Sequence, residues 1–180
     1  MAASPPPAET HPMRLTNFIV KDAIIPALAT AAADVNPKDA PAVAGVKERA
    51  VRELVTSLHD ARAFQPESTD DVVREVMRRE QLGTTGIGRN IAIPHSRHAA
   101  AERLIGTLGL SPTGLPFDSL DGEPVYVFVL LVSPKDRPGD HLRALEAVVR
   151  TMRNEEFVQR LRACTTRDEI WDLLDNAPGW

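Results

Sequence analysis

Residues 125–132 read Val-Tyr-Val-Phe-Val-Leu-Leu-Val, with no charge and no polar atom except the Tyr126 hydroxyl. β-Branched and aromatic side chains suit a strand, and a run without polar alternation cannot leave one face in water. Such a strand has to be central in a sheet, with both of its faces covered. Eight residues fall far short of the roughly 20 needed to cross a bilayer, so the run is read as core. Residues 104–110 supply a second strand, and the short apolar burst Ile91-Ala92-Ile93 a third.

The cover comes from helices. Ala50, Val51, Leu54, Val55 and Leu58 recur at helical spacing and predict a helix over 46–62. A second helix is expected to start at Ser68 or Thr69, either able to cap it, with Asp70 and Asp71 in the favoured first turn. Val72, Val73, Val76 and Met77 form its inner face, and it should end at Leu82-Gly83. Asp140 is expected to cap a third helix, with Leu142, Leu145, Val148, Val149 and Met152 buried. Asn154 should begin a fourth, and Thr166 with Glu169 a fifth. Helices between and after strands define the fold class as α/β, a layered sheet.

Composition shifts near residue 45. Seven of the 15 prolines precede it. Residues 1–13 are therefore expected to be a disordered Pro-rich arm and 31–45 a mobile loop, with residues 14–178 a single domain. The patch 15–28 is read as a short helix and an edge strand. Over the 180 residues, 43% hydrophobic and 26% charged composition excludes a wholly disordered chain. The net charge of −4, without a dense basic block, argues against nucleic acid as a partner. The single cysteine, Cys164, excludes a disulfide framework, suits a reducing compartment, and sits where packing is the simplest role. The N-terminus has neither the basic nor the apolar region of a signal peptide. A cytoplasmic protein without membrane insertion is the expectation.

Chemistry concentrates in residues 78–95, Arg-Arg-Glu-Gln-Leu-Gly-Thr-Thr-Gly-Ile-Gly-Arg-Asn-Ile-Ala-Ile-Pro-His. Three glycines in six residues permit positive φ, and freed N–H groups in such a turn can face an anion, which makes Thr84, Thr85 and Gly86 candidate phosphate contacts. The pattern is neither a P-loop nor a dinucleotide fingerprint: no Gly-Lys-Ser/Thr follows, and Ile91 stands where the third glycine belongs. Pro94 should end the short strand and present His95 at its terminus, rigid yet reachable. A neutral imidazole is a nucleophile without needing a base, its second nitrogen pinned by a carbonyl or carboxylate. His141, after the loop that follows the apolar strand, can reach the same end of the sheet. Arg79, at the end of its helix, can reach over the same pocket. Phosphoryl transfer needs positioning and charge stabilisation above all, so Arg79 would bind the transferring oxygens and His141 would donate a hydrogen bond to them.

The run Arg79-Glu80-x-Leu82-Gly83-Thr84-Thr85-Gly86-Ile87-Gly88-x-x-Ile91-Ala92-Ile93-Pro94-His95 resembles the active-site signature of the fructose/mannitol-type (type 2) IIA proteins of the phosphoenolpyruvate-dependent sugar phosphotransferase system, and is most similar to their nitrogen-regulatory branch. The likeness continues through residues 116–125, the apolar strand and His141-Leu142-x-x-Leu145. It implies a small mixed β-sheet sandwiched by helices on both faces. It implies that His95 receives a phosphoryl group from a histidine-containing phosphocarrier protein, with Arg79 and His141 stabilising it. It further implies onward transfer to a IIB cysteine or a regulatory output through other proteins, with no cofactor and no metal. Ser96 stands where a glycine is common in the family.

Two rival readings remain beside this one. A purely regulatory module would keep the histidine but change a binding surface instead of passing the group on. A metal hydrolase would ligate zinc through His95, His98, His141 and Asp140. His11, His59 and the arginines 143, 150, 153, 160 and 162 are read as solvated, and Trp171 as core or interface.

Overall fold

The computed structural model describes residues 12–177. Five helices and five strands follow one another in the order α1 (Ala40–Asp60), α2 (Thr69–Leu82), β1 (Gly86–Gly88), β2 (Ile91–Ala92), β3 (His95–Arg97), β4 (Ile105–Leu115), β5 (Val125–Ser133), α3 (Pro138–Met152), α4 (Glu155–Ala163) and α5 (Arg167–Asp175). The fold is α/β, with a mixed sheet. β5 is its spine: antiparallel to β4 on one side, parallel to β2 and then β3 on the other, with β1 antiparallel on β2.

The alternation of β5 explains why the sheet needs cover on both faces. Phe128, Leu130 and Val132 point into one core with Val51, Leu54, Leu58 of α1 and Val72, Val73, Val76 of α2. Val127, Val129 and Leu131 point into the other, with Val148 and Met152 of α3, Leu161 of α4 and Ile170 of α5. Trp171 packs partly buried against this second core.

Several boundaries differ from expectation. α1 begins at Ala40, not residue 46, because Asp39 accepts the Ala42 N–H as its N-cap and Pro41 suits the first turn; residues 40–45 are therefore helix. α3 begins at Pro138, so Asp140 lies inside its first turn and is not the cap. Leu142 is 58% exposed, not buried, while Ala144 and Ala147 take the inner face. Asn154 and Thr166 cap α4 and α5 as expected, accepting the Phe157 and Glu169 N–H groups. Residues 15–28 form two 3-10 turns, Leu15–Asn17 and Lys21–Ala23, and run along β4 without forming a strand: Ile19 bridges Gly106, Ile25 bridges Gly109, the Leu28 N–H donates to the Leu110 carbonyl and the Thr107 hydroxyl to the Ala23 carbonyl. The expected arm at 1–13 lies outside the described residues up to His11, which shares that position; Met13 packs against the second core.

The glycine-rich turn is a β-hairpin. Arg89 (φ 56°) and Asn90 (φ 68°) are both left-handed, the geometry of a tight turn whose twist matches its strands. A Cβ on Gly86 would stand 3.0 Å from the Ser119 Cα and 2.6 Å from its hydroxyl, so only glycine lets the 118–122 loop pack there.

Candidate functional site

β2 ends at Ala92, ahead of Pro94, and β3 begins at His95. β2 and β3 keep one register on β5, Ile91 opposite Val127 and His95 opposite Leu131, and the Pro94 carbonyl accepts the Leu131 N–H. His95 is the first residue of β3, at the strand's N-terminal end, and the spine strand holds its backbone. Its Nδ1 lies 2.8 Å from the Ile93 carbonyl oxygen. A carbonyl only accepts, so Nδ1 carries the proton and the neutral ring keeps its lone pair on Nε2.

His141, in the first turn of α3, brings its ring to 5.3 Å from that of His95, tilted by 54°. Its Nδ1 lies 2.5 Å from the Ser133 hydroxyl. Both histidines are half-buried and line a cleft of about 780 Å³ with Arg79, Arg97, Lys135, Leu82 and Leu142. Arg79 is held at the end of α2 by its bond to the Gly83 carbonyl, 2.8 Å. Leu82, 82% exposed, and Leu142 give the basic cleft an apolar rim.

Burial, first, and the charge of Arg79 push the His95 pKa below its ordinary value, although the Ile93 carbonyl and Glu80 act the other way. Burial, then His95, then Arg97 lower His141 to about 4. Both rings are therefore neutral at pH 7.

Thr84, Thr85 and Gly86 do not line this cleft, and their donors are committed elsewhere. Thr84 Oγ1 donates to the Phe117 carbonyl and accepts from Gly86 N–H, while the Thr85 N–H and hydroxyl both donate to the Glu80 carboxylate. The Thr85 and Gly86 N–H groups, expected to face an anion, are thus directed at the Glu80 carboxylate and the Thr84 hydroxyl. The proposed zinc set is not assembled either. His98 Nδ1 accepts the Ala100 N–H, and its Nε2 lies 2.6 Å from Asp71; among the described residues no group of three or more possible ligands forms. His59 pairs with Asp60 at 3.1 Å. Of the arginines read as solvated, Arg162 stacks 3.9 Å over Tyr126. Cys164 caps α4 and packs against the second core, its pKa raised chiefly by burial.

Sequence reasoning missed Ser133, Arg97, Lys135 and the buried Lys47–Glu80 pair, 3.0 Å apart. The only signal for Ser133 was a hydroxyl closing an otherwise apolar run.

Five helices over a mixed sheet, with paired imidazoles and an arginine in one cleft, define a protein class that comparison names directly. Residues 41–177 match the family described as phosphoenolpyruvate-dependent sugar phosphotransferase system, EIIA 2, and the chain belongs to it. Among relatives, it is 30% identical to a nitrogen regulatory protein of Bradyrhizobium diazoefficiens over 92% of this chain and 97% of that protein. It is 32% identical to the 2-O-alpha-mannosyl-D-glycerate-specific EIIABC component of Escherichia coli, over 74% of this chain but 20% of that one. The crystal structure of nitrogen regulatory protein IIA-Ntr from Neisseria meningitidis superimposes with a TM-score of 0.69 at 25% identity, covering 88% of this chain and 97% of that one. Among the described residues no helix is long and apolar enough to cross a membrane.

Proposed function

We propose that this chain is a cytoplasmic phosphohistidine carrier, a phosphotransferase that accepts a phosphoryl group on His95 Nε2 from a histidine-containing phosphocarrier protein. The observation that carries this reading is the Nδ1 contact with the Ile93 carbonyl, which leaves Nε2 unprotonated in a ring that burial keeps neutral. In the transfer the donor's P–N bond breaks as the P–Nε2 bond forms, and the Nδ1 proton stays where it is. Arg79 would offset the charge on the equatorial oxygens and His141 would donate to one of them. The apolar rim of Leu82 and Leu142 suits a protein donor, whose docking excludes water from the transfer.

The group would then pass to a IIB cysteine or remain as a regulatory signal. A regulatory output is favoured by the likeness over nearly the full length of a nitrogen regulatory protein. Incubation with phosphoenolpyruvate, the general phosphotransferase enzyme and its small carrier should give an acid-labile, base-stable phosphate on the protein. His95→Ala should abolish it, and Arg79→Ala or His141→Ala should slow it on the order of a hundredfold. Undiminished labelling of His95→Ala would refute the assignment. Discharge of the label by a IIB protein would favour onward transfer over a purely regulatory module.

A further inference from the structure

We infer that Ser133 is a positioning residue for phosphoryl acceptance: its hydroxyl donates to Nδ1 of His141 and so holds that ring in the tautomer with its proton on Nε2. This rests on the reading of His95 as the phosphoryl acceptor and His141 as a donor to the transferring group.

Ser133 is the last residue of β5, fully buried, with its backbone in register with Arg97 of β3. Its carbonyl accepts the His98 N–H at 2.8 Å, so both neighbouring strand and following loop hold the backbone in place. Four residues separate it from α3, and the first turn of that helix returns His141 over the strand end, Nδ1 2.5 Å from Ser133 Oγ.

The direction of this bond follows from what each choice leaves unpaired. Among the described residues, His141 Nδ1 is the one hydrogen-bond partner of the Ser133 hydroxyl. If Nδ1–H donated to Oγ, the hydroxyl proton of this fully buried side chain would have no acceptor among the described residues. An unsatisfied buried donor is the costlier orphan; an oxygen with a spare lone pair is tolerated better. The hydroxyl therefore donates and Nδ1 accepts. His141 is neutral at pH 7, so its single ring proton goes to Nε2, the nitrogen left free for the cleft.

The consequence concerns charge. A phosphoryl group on His95 offers only acceptors, so a neighbouring imidazole helps by presenting N–H and hinders by presenting a lone pair. Without Ser133 the two tautomers of His141 would exchange, and a share of the molecules would carry the wrong one. The same logic makes a buried partner essential wherever one ring nitrogen must be a donor and the other must not.

The test measures tautomer and rate separately. In the unphosphorylated, 15N-labelled protein, long-range 1H–15N correlation should show His141 as the Nε2–H tautomer. Ser133→Ala should yield a mixture, and Ser133→Thr, which keeps the hydroxyl on a β-branched side chain suited to a strand, should restore the single form. The initial rate of labelling should fall on the order of tenfold to a hundredfold in Ser133→Ala, at unchanged carrier concentration for half-maximal rate, and recover in Ser133→Thr. An Nδ1–H tautomer in the wild-type protein, or an unaltered tautomer in Ser133→Ala, would overturn the inference even if the rate fell. Labelling that survives His95→Ala would instead sink the carrier reading and leave the tautomer result standing.

Discussion

His95 and His141 sit in one cleft and both titrate below the ordinary histidine range, because desolvation disfavours the charged ring and each has cationic neighbours. The sign for stability follows. A group that binds its proton less readily when folded stabilises the protein fully above its unfolded pKa, and that contribution is lost as pH falls. For His141 the window runs from 6.5 down to about 4. Thermal melts between pH 7 and 4 should therefore show falling stability, and His141→Gln should flatten the slope; an unchanged slope would contradict the burial argument. Asp71 and Asp121, held down chiefly by His98 and by the Arg89 N–H respectively, lose their contribution as pH falls through their ordinary 3.8, and so enter only at the acid end of this window. That His95, His141 and Arg79 could meet in one cleft was legible in the sequence, because residue type and order carry it. Ser133 was not, since a serine at a strand end reads the same whether it faces water or an imidazole.

The elements around the cleft were read with uneven success, and the failures share a cause. Apolar periodicity found α1, α2, β4 and β5, because burial of one face or both leaves a repeating mark. Three glycines looked like an anion cradle, yet the segment pairs with itself as the β1–β2 hairpin, its N–H groups taken by Glu80, Thr84 and Asp121. Glu80 also anchors α2 to α1: it meets Lys47 at 3.0 Å, and Lys47 reaches Asp118 at 3.1 Å. The Lys47 and Glu80 side chains are 8% and 2% exposed. Removing one partner strands the other charge, so Lys47→Met should cost about 3 kcal/mol in urea denaturation. The double variant Lys47→Met/Glu80→Gln should recover part of that loss, because the two changes share one interaction. Strict additivity would show that the pair is not coupled.

Across the whole molecule β5 is the common wall of two cores. Leu130 faces α1 and α2, Leu131 faces α3 to α5, and both are fully buried. Either residue replaced by alanine should cost about 2–5 kcal/mol. In both variants far-UV and near-UV circular dichroism should still report one coincident transition, since neither helical layer can keep its core once the shared strand is lost. Separate transitions would mean that the layers fold independently. Layering, the central strand and the motif ending in His95 could be read from the chain alone, because hydrophobic pattern and local order are properties of adjacent residues. The 5.3 Å approach of the two imidazoles and the tie between Ser133 and His141 arise from parallel pairing and from the loop returning α3 over β5. Those depend on contacts between residues far apart in the chain, and hydrogen-bond direction depends on which donor is left without water, so packing had to settle them.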